Sequence, residues 1–202
     1  MSKIAVFIDR DGTMSEEVGY VNHLSRFKLL TNTAAAIKLL NDSNILAIVA
    51  TNQAGVARGY FEESMIGLVH EKLRAELALN GAKLDAIYYC PHHPSAGKPP
   101  YRAECNCRKP KPGMILKAKE ELDIDLNQSY MVGDKISDVE FGQKLGLKSV
   151  MVMTGYGIGE YEHQRHDWKV TPDFMAADLL EAVKWIIEDI KQTTATQKNK
   201  NS

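Results

Sequence analysis

The sequence predicts an α/β fold: a doubly wound parallel sheet with helices on both faces and no large cap domain. Three observations predict it. Short apolar runs that read as buried strands alternate with longer segments of helical periodicity. Polar residues stand directly after three of those runs, where parallel sheets place their ligands. The chain, at 202 residues, is long enough for one such domain with a sizeable core.

The elements follow in order. Residues 3–8 form a first buried strand ending at Asp9, and 33–40 carry a helical apolar pattern. Residues 45–50 form a second strand ending at Thr51, and 62–79 a long amphipathic helix stopped near Asn80-Gly81. A short strand at 86–89 comes next, then a helix at 113–122 opened by Pro112. A strand at 130–132 ends at Gly133-Asp134, followed by a helix at 136–145, a last strand at 149–153 and a C-terminal helix at 173–190. Strands this uniformly apolar are buried on both faces, as in a parallel sheet. Residues 1–192 read as one domain, and the polar segment 193–202 as a disordered tail. The glycines of Thr154-Gly155-Tyr156-Gly157-Ile158-Gly159 follow the last strand rather than the first, so they read as a flexible connection and not a dinucleotide loop.

Composition narrows the function. Charged residues are 25% and the formal net charge is −1, so no broad field draws the chain onto nucleic acid or an anionic membrane. The apolar run at 4–8 is far short of the ~20 residues that span a bilayer. No basic region precedes a long apolar stretch with a cleavage site, so no signal peptide is expected and a cytoplasmic location is. Nothing calls for an obligate interface, and a monomer is the expectation. Cysteine is scarce, an odd and clustered set of Cys90, Cys105 and Cys107, which argues against a secreted disulfide framework.

The candidate chemistry begins at Asp9 and Asp11, two residues apart at a strand end and followed by Gly12-Thr13. Paired carboxylates in a crevice repel and invite a cation, and oxygen-only ligation suits Mg²⁺. A carboxylate can attack phosphorus and divide one hard step into two through an aspartyl phosphate. Its neighbour can protonate the leaving oxygen and later activate water. The same residues also suit a solvated turn. Thr51-Asn52-Gln53 after the second strand can hold a phosphoryl oxygen, or Thr51 can cap a turn. Lys109 can neutralise a transferring phosphoryl group and Arg108 can fork onto a substrate phosphate, although such a cluster also suits a solvated loop. Asp134 is placed to complete a magnesium site. Asp138 either supports that site or is a first-turn acid of the next helix.

About twenty residues from 91 to 111 lack periodicity, and a loop of that length carries function or a metal. Cys90, His92, Cys105 and Cys107 supply the Cys₃His set of a closed, structural zinc site within the loop 90–109. Alternation along an extended segment puts His92 on the side of Cys90 and His93 on the other. Free thiols beside surface histidines are the alternative. The spacing is not that of a nucleic-acid finger, and no basic stripe accompanies it.

Taken together, Asp9-Arg10-Asp11-Gly12-Thr13, Thr51-Asn52-Gln53, Lys109 and Gly133-Asp134-Lys135 through Asp138 resemble the four ordered motifs of the haloacid dehalogenase superfamily of phosphatases. The resemblance implies a Rossmann-like sheet, Asp9 as nucleophile and Asp11 as general acid/base. It implies Mg²⁺ held by the carboxylates of Asp9 and Asp134 and the backbone carbonyl of Asp11, with Thr51 and Lys109 stabilising the phosphoryl group. Cys90-Pro91-His92-His93-Pro94, Cys105-Asn106-Cys107-Arg108-Lys109-Pro110, Glu17-Val18-Gly19-Tyr20-Val21 and Gln53-Ala54-Gly55-Val56-Ala57-Arg58-Gly59 are similar to the D,D-heptose 1,7-bisphosphate phosphatases. Histidinol-phosphate phosphatases share the zinc loop in outline but typically differ at the last two segments. The heptose resemblance implies removal of the 7-phosphate of a heptose 1,7-bisphosphate. It implies substrate contacts from Glu17, Val18, Gly19, Tyr20, Thr51, Asn52, Gln53, Ala54, Arg108, Lys109 and Lys135. The second phosphate needs a cation, for which Arg108 is the candidate and Arg58 the alternative. Histidinol-phosphate hydrolysis is the competing activity. A non-catalytic phospho-acceptor or zinc-bearing interaction domain is the competing class, and it would need neither Asp11 nor Lys109.

Overall fold

A computed structural model describes residues 2–200 of the chain. Its centre is a six-stranded, all-parallel sheet in the order β3-β2-β1-β4-β5-β6. The strands are β1 (Ala5–Ile8), β2 (Leu46–Asn52), β3 (Ala86–Cys90), β4 (Tyr130–Gly133), β5 (Lys148–Val152) and β6 (Phe174–Ala176). The helices are α1 (Thr33–Asp42), α2 (Glu63–Ala78), α3 (Gly113–Leu122), α4 (Ile136–Gln143), α5 (Gly157–Gln164) and α6 (Leu179–Lys200).

The side-chain alternation of β1 shows why both faces must be covered. Val6 and Ile8 join one core with Ala36, Ile37 and Leu40 of α1, Val69, Leu73 and Leu77 of α2, and Ala182, Val183 and Ile186 of α6. Ala5 and Phe7 face the opposite core with Met114, Ile115 and Ala118 of α3 and Phe141 of α4. The chain winds outward from β1 through β2 to β3, then returns to β4 on the other side of β1. That reversal between β1 and β4 opens a crevice at the carboxyl ends of the strands. No large cap domain occurs among the described residues.

Three expectations need correction. The segment read as a helix from 173 first forms β6, whose three residues pair with Val150, Met151 and Val152 of β5, and the helix begins only at Leu179. The glycine-rich segment after β5 is ordered: Gly157 opens α5, and a Cβ there would lie 1.9 Å from the Val152 carbonyl oxygen. The segment read as a disordered tail continues α6 as helix through Lys200. The hydroxyls of Thr193, Thr194 and Thr196 bond back to the carbonyls of Asp189, Ile190 and Gln192, one turn earlier. Each residue added to an established helix gains a backbone bond without a new nucleation cost, so polarity alone does not end it. Asn201 and Ser202 lie outside the described residues.

Candidate active site

The crevice holds a cavity of about 430 Å³. Asp9 follows β1 directly, and its N–H donates to the Val132 carbonyl of β4 at 2.9 Å, which fixes it at the strand end. Thr51 is the penultimate residue of β2, and Asp134 follows β4. Lys109, in the loop before α3, is buried, and its ammonium lies 2.7 Å from both Asp9 Oδ1 and Asp138 Oδ1. Burial alone would lower the Lys109 pKa, but the two carboxylates reverse that and hold it above the ordinary lysine value. Asn52 fixes the lysine's backbone: its amide donates to the Lys109 carbonyl at 3.2 Å, and its Oδ1 accepts from the Lys109 N–H at 3.0 Å.

Asp11 lines the cavity with both oxygens engaged. Arg10 donates from Nε to Oδ1 at 3.0 Å and from Nη2 to Oδ2 at 2.7 Å, and Gln53 Nε2 donates to Oδ2 at 2.7 Å. The same Gln53 nitrogen reaches Thr51 Oγ1 at 3.1 Å. Burial raises the Asp11 pKa, but the Arg10 charge and the Arg10 and Gln53 hydrogen bonds outweigh it and leave the carboxyl below the usual range. Glu17 is raised, chiefly by burial, and its Oε2 lies 3.5 Å from the Lys135 ammonium. That ammonium also sits 4.2 Å above the centre of the Tyr156 ring.

Carboxylate oxygens of Asp9, Asp134 and Asp138 lie within 4.8 Å of one another. Asp138 is committed elsewhere, through Oδ1 to Lys109 and through Oδ2 to the Lys135 N–H at 3.3 Å. Asp134 is not: Oδ2 accepts from the Tyr156 N–H at 2.9 Å, whereas Oδ1 is buried with no partner. Burial first, and the Asp9 charge second, push the Asp134 pKa up to about 8. A buried, unpartnered carboxylate oxygen beside a second carboxylate fits a divalent cation with hard-oxygen preference. The backbone is cut to make room, since a Cβ at Gly12 or Gly155 would fall 2.1 or 2.2 Å from Asp134 Oδ2, and both residues have positive φ.

Beside the cavity, Cys90, His92, Cys105 and Cys107 converge into a four-donor cluster. The sulfurs are 3.0–3.5 Å apart and His92 Nδ1 is 3.4 Å from Cys107 Sγ. Three soft thiols and an imidazole fit zinc. His93 is turned away: its Nδ1 accepts from the Ser95 and Ala96 N–H groups, and its Nε2 meets Arg58 Nη2 at 3.1 Å.

Of the residues singled out by sequence, Asp9, Asp11, Glu17, Gly19, Tyr20, Thr51, Asn52, Ala54, Arg108, Lys109 and Lys135 line the cavity, together with Ser137, Asp138 and Tyr156. Gln53 lies beneath it, buried, and acts on Asp11 and Thr51 instead. Val18 packs toward the core and Arg58 turns to His93, so neither lines the cavity. Sequence reasoning missed Tyr156 and Ser137. Tyr156 sits in the glycine-rich segment after β5, whose small residues were the available signal, and Ser137 lies one residue before Asp138.

Comparison with known proteins decides the family. The HAD-hyrolase-like family model matches residues 106–182. A D-glycero-beta-D-manno-heptose-1,7-bisphosphate 7-phosphatase of Pasteurella multocida is 45% identical over 159 residues, 78% of this chain and 86% of that protein. The chain belongs to this phosphatase family. The protein of the same description from Escherichia coli K12 is 40% identical over 182 residues, covering 89% of this chain and 93% of its own length. Among solved structures, the D,D-heptose 1.7-bisphosphate phosphatase from B. bronchiseptica, complexed with magnesium and phosphate, superposes with a TM-score of 0.81 at 28% identity. That match covers 92% of this chain and 99% of the other. As a member of the family, this chain is a phosphoric monoester hydrolase of the haloacid dehalogenase type. None of its described helices is long and apolar enough to cross a membrane.

Proposed function

We propose that this chain is a magnesium-dependent phosphatase that removes the 7-phosphate of D-glycero-D-manno-heptose 1,7-bisphosphate through an aspartyl phosphate on Asp9. The observation that carries the chemistry is the buried Lys109 ammonium held between Asp9 and Asp138, next to an Asp134 oxygen that lacks a partner. Family membership carries the substrate.

Asp9 attacks phosphorus and the P–O bond to the sugar breaks. The incoming phosphate dianion raises the Asp11 pKa, which Arg10 and Gln53 depress in the free site, so that Asp11 takes up a proton, gives it to the departing sugar oxygen and then takes one from the water that hydrolyses the aspartyl phosphate. Thr51 and Lys109 hold the phosphoryl oxygens. Asp9, Asp134 and the Asp11 backbone carbonyl would hold Mg²⁺, which when bound would neutralise charge on the transferring group. Arg108, at the cavity wall, takes the second phosphate, and Glu17, Gly19, Tyr20, Ala54 and Lys135 shape the space for the sugar. Cys90, His92, Cys105 and Cys107 would hold a structural Zn²⁺, which would pin the loop that presents Arg108 and Lys109. We assign the protein to the cytoplasm as a monomer whose partner is a small phosphorylated sugar, with no nucleic-acid or membrane partner.

A phosphate-release assay with Mg²⁺ across heptose 1,7-bisphosphate, other phosphosugars and histidinol phosphate tests the reading. The heptose bisphosphate is expected to turn over fastest, and faster turnover of histidinol phosphate would overturn the substrate. Phosphate release that survives Asp9→Asn would overturn the covalent mechanism.

A further inference from the structure

Behind the cavity lies a buried cation that the mechanism above does not use. Arg10 is 1% exposed, and it is the largest fully buried side chain among the described residues. Two of its three nitrogens form the fork on Asp11, at 3.0 and 2.7 Å. The third, Nη1, points across the fold to His70 Nε2 at 3.3 Å. Arginine has only donors, so His70 Nε2 must accept and the ring proton must sit on Nδ1. His70 lies on the buried side of α2 among Ile66, Val69 and Leu73, and its ring meets that of Tyr89 edge-on at 5.7 Å. The Tyr89 hydroxyl in turn donates to Glu63 of the same helix at 3.0 Å.

We propose that Arg10, anchored by neutral His70, is a positioning device that fixes the carboxylate of Asp11 toward the cavity for proton transfer to the leaving group. A guanidinium holding both oxygens sets the plane of the carboxylate, which a point-charge ammonium does not. Without a third contact, the guanidinium could rotate with Asp11. His70 supplies that contact from an element sixty residues away in sequence. The imidazole must stay neutral to accept, and burial followed by the Arg10 charge keeps its pKa down at about 3. Displacements near 1 Å at an acid/base group cost on the order of a hundredfold in rate, so a fork of this kind has leverage without touching substrate.

This inference rests on the phosphatase reading, and a leaving-group comparison separates the two. A sugar alkoxide needs the Asp11 proton to depart, whereas p-nitrophenolate leaves as an anion without one. Single-turnover transfer to Asp9 is measured with heptose 1,7-bisphosphate and with p-nitrophenyl phosphate, in native, His70→Leu and His70→Gln proteins loaded with metal. His70→Leu is expected to slow transfer from the sugar substrate about tenfold, leave the p-nitrophenol burst and the sugar KM within about twofold, and be rescued by His70→Gln, whose Oε1 replaces the acceptor. Arg10→Lys repeats the test should leucine destabilise the fold, with the same selective loss expected. Equal loss on both substrates, loss on neither, or no rescue by glutamine would overturn the positioning role. Failure of the native protein to release phosphate from the sugar would overturn the underlying reading, and it is visible before any variant is compared.

Discussion

Replacing His70 by glutamine keeps an acceptor for Arg10 and removes a titrating group from the core, and the consequence for stability can be worked from the structure. In the native protein, burial and then the Arg10 charge hold the His70 pKa at about 3, against 6.5 for an ordinary histidine. Between those values the unfolded chain binds a proton that the folded chain refuses. Stability therefore falls as pH drops through 6.5 and continues to fall until about pH 3. The slope approaches about 1.4 kcal/mol per pH unit, so moving from about pH 7.5 to about pH 5.5 costs roughly 1.4 kcal/mol from this one group. Urea unfolding of native and His70→Gln proteins at both pH values, at fixed ionic strength, isolates it, because every other titrating group is common to both. The native protein should lose about 1.4 kcal/mol more than the variant over that interval. Parallel pH dependences would mean that His70 accepts a proton in the folded state, and the neutral anchor of Arg10 would have to be abandoned.

Further tests address Lys109, the proposed magnesium cradle and the Cys-His cluster. Lys109→Met leaves the buried Asp9 and Asp138 without their shared cation. It should reduce phosphate release by about a hundredfold or more and lower unfolding free energy by about 3 kcal/mol, and unchanged urea stability would refute the buried ion pair. Gly12→Ala brings a Cβ to 2.1 Å from Asp134 Oδ2 at a backbone φ of +84°. Calorimetric titration should show magnesium affinity reduced by about tenfold or more, and native affinity would sink the proposed role of Asp134. Cys107→Ser removes one of four converging donors only two residues before Lys109. Atomic emission should find zinc lost from the variant, with catalytic turnover falling as the loop loosens; an equal zinc content would exclude this donor set.

The strands were legible because parallel strands buried on both faces need uninterrupted apolar runs, and Asp9, Thr51 and Asp134 were legible as the polar residues that end those runs. Their convergence also followed, since adjacent parallel strands in register bring their carboxyl ends together. The sequence left two readings for Asp138, as a support or a first-turn acid. It is both: its Oδ2 accepts the Lys135 N–H at the start of α4 while its Oδ1 holds Lys109. Local pattern cannot separate roles that one carboxylate fills with different oxygens.

What the sequence by itself determined is the layered parallel sheet, the order of its main elements, and a set of residue types whose spacing suits phosphoryl transfer beside a thiol-rich loop. Those properties are carried by periodicity and by neighbours along the chain. Tertiary structure alone decided β6, three residues whose strand character comes from pairing with β5. It also decided the ordered Gly155–Tyr156 segment, where the backbone closes over Asp134. The turning of His93 to Arg58, and the reach of Arg10 from the turn after β1 to His70 on α2, were likewise settled in three dimensions. Each depends on groups far apart in sequence meeting where water is excluded, and there a hydrogen bond or a missing Cβ outweighs any local preference.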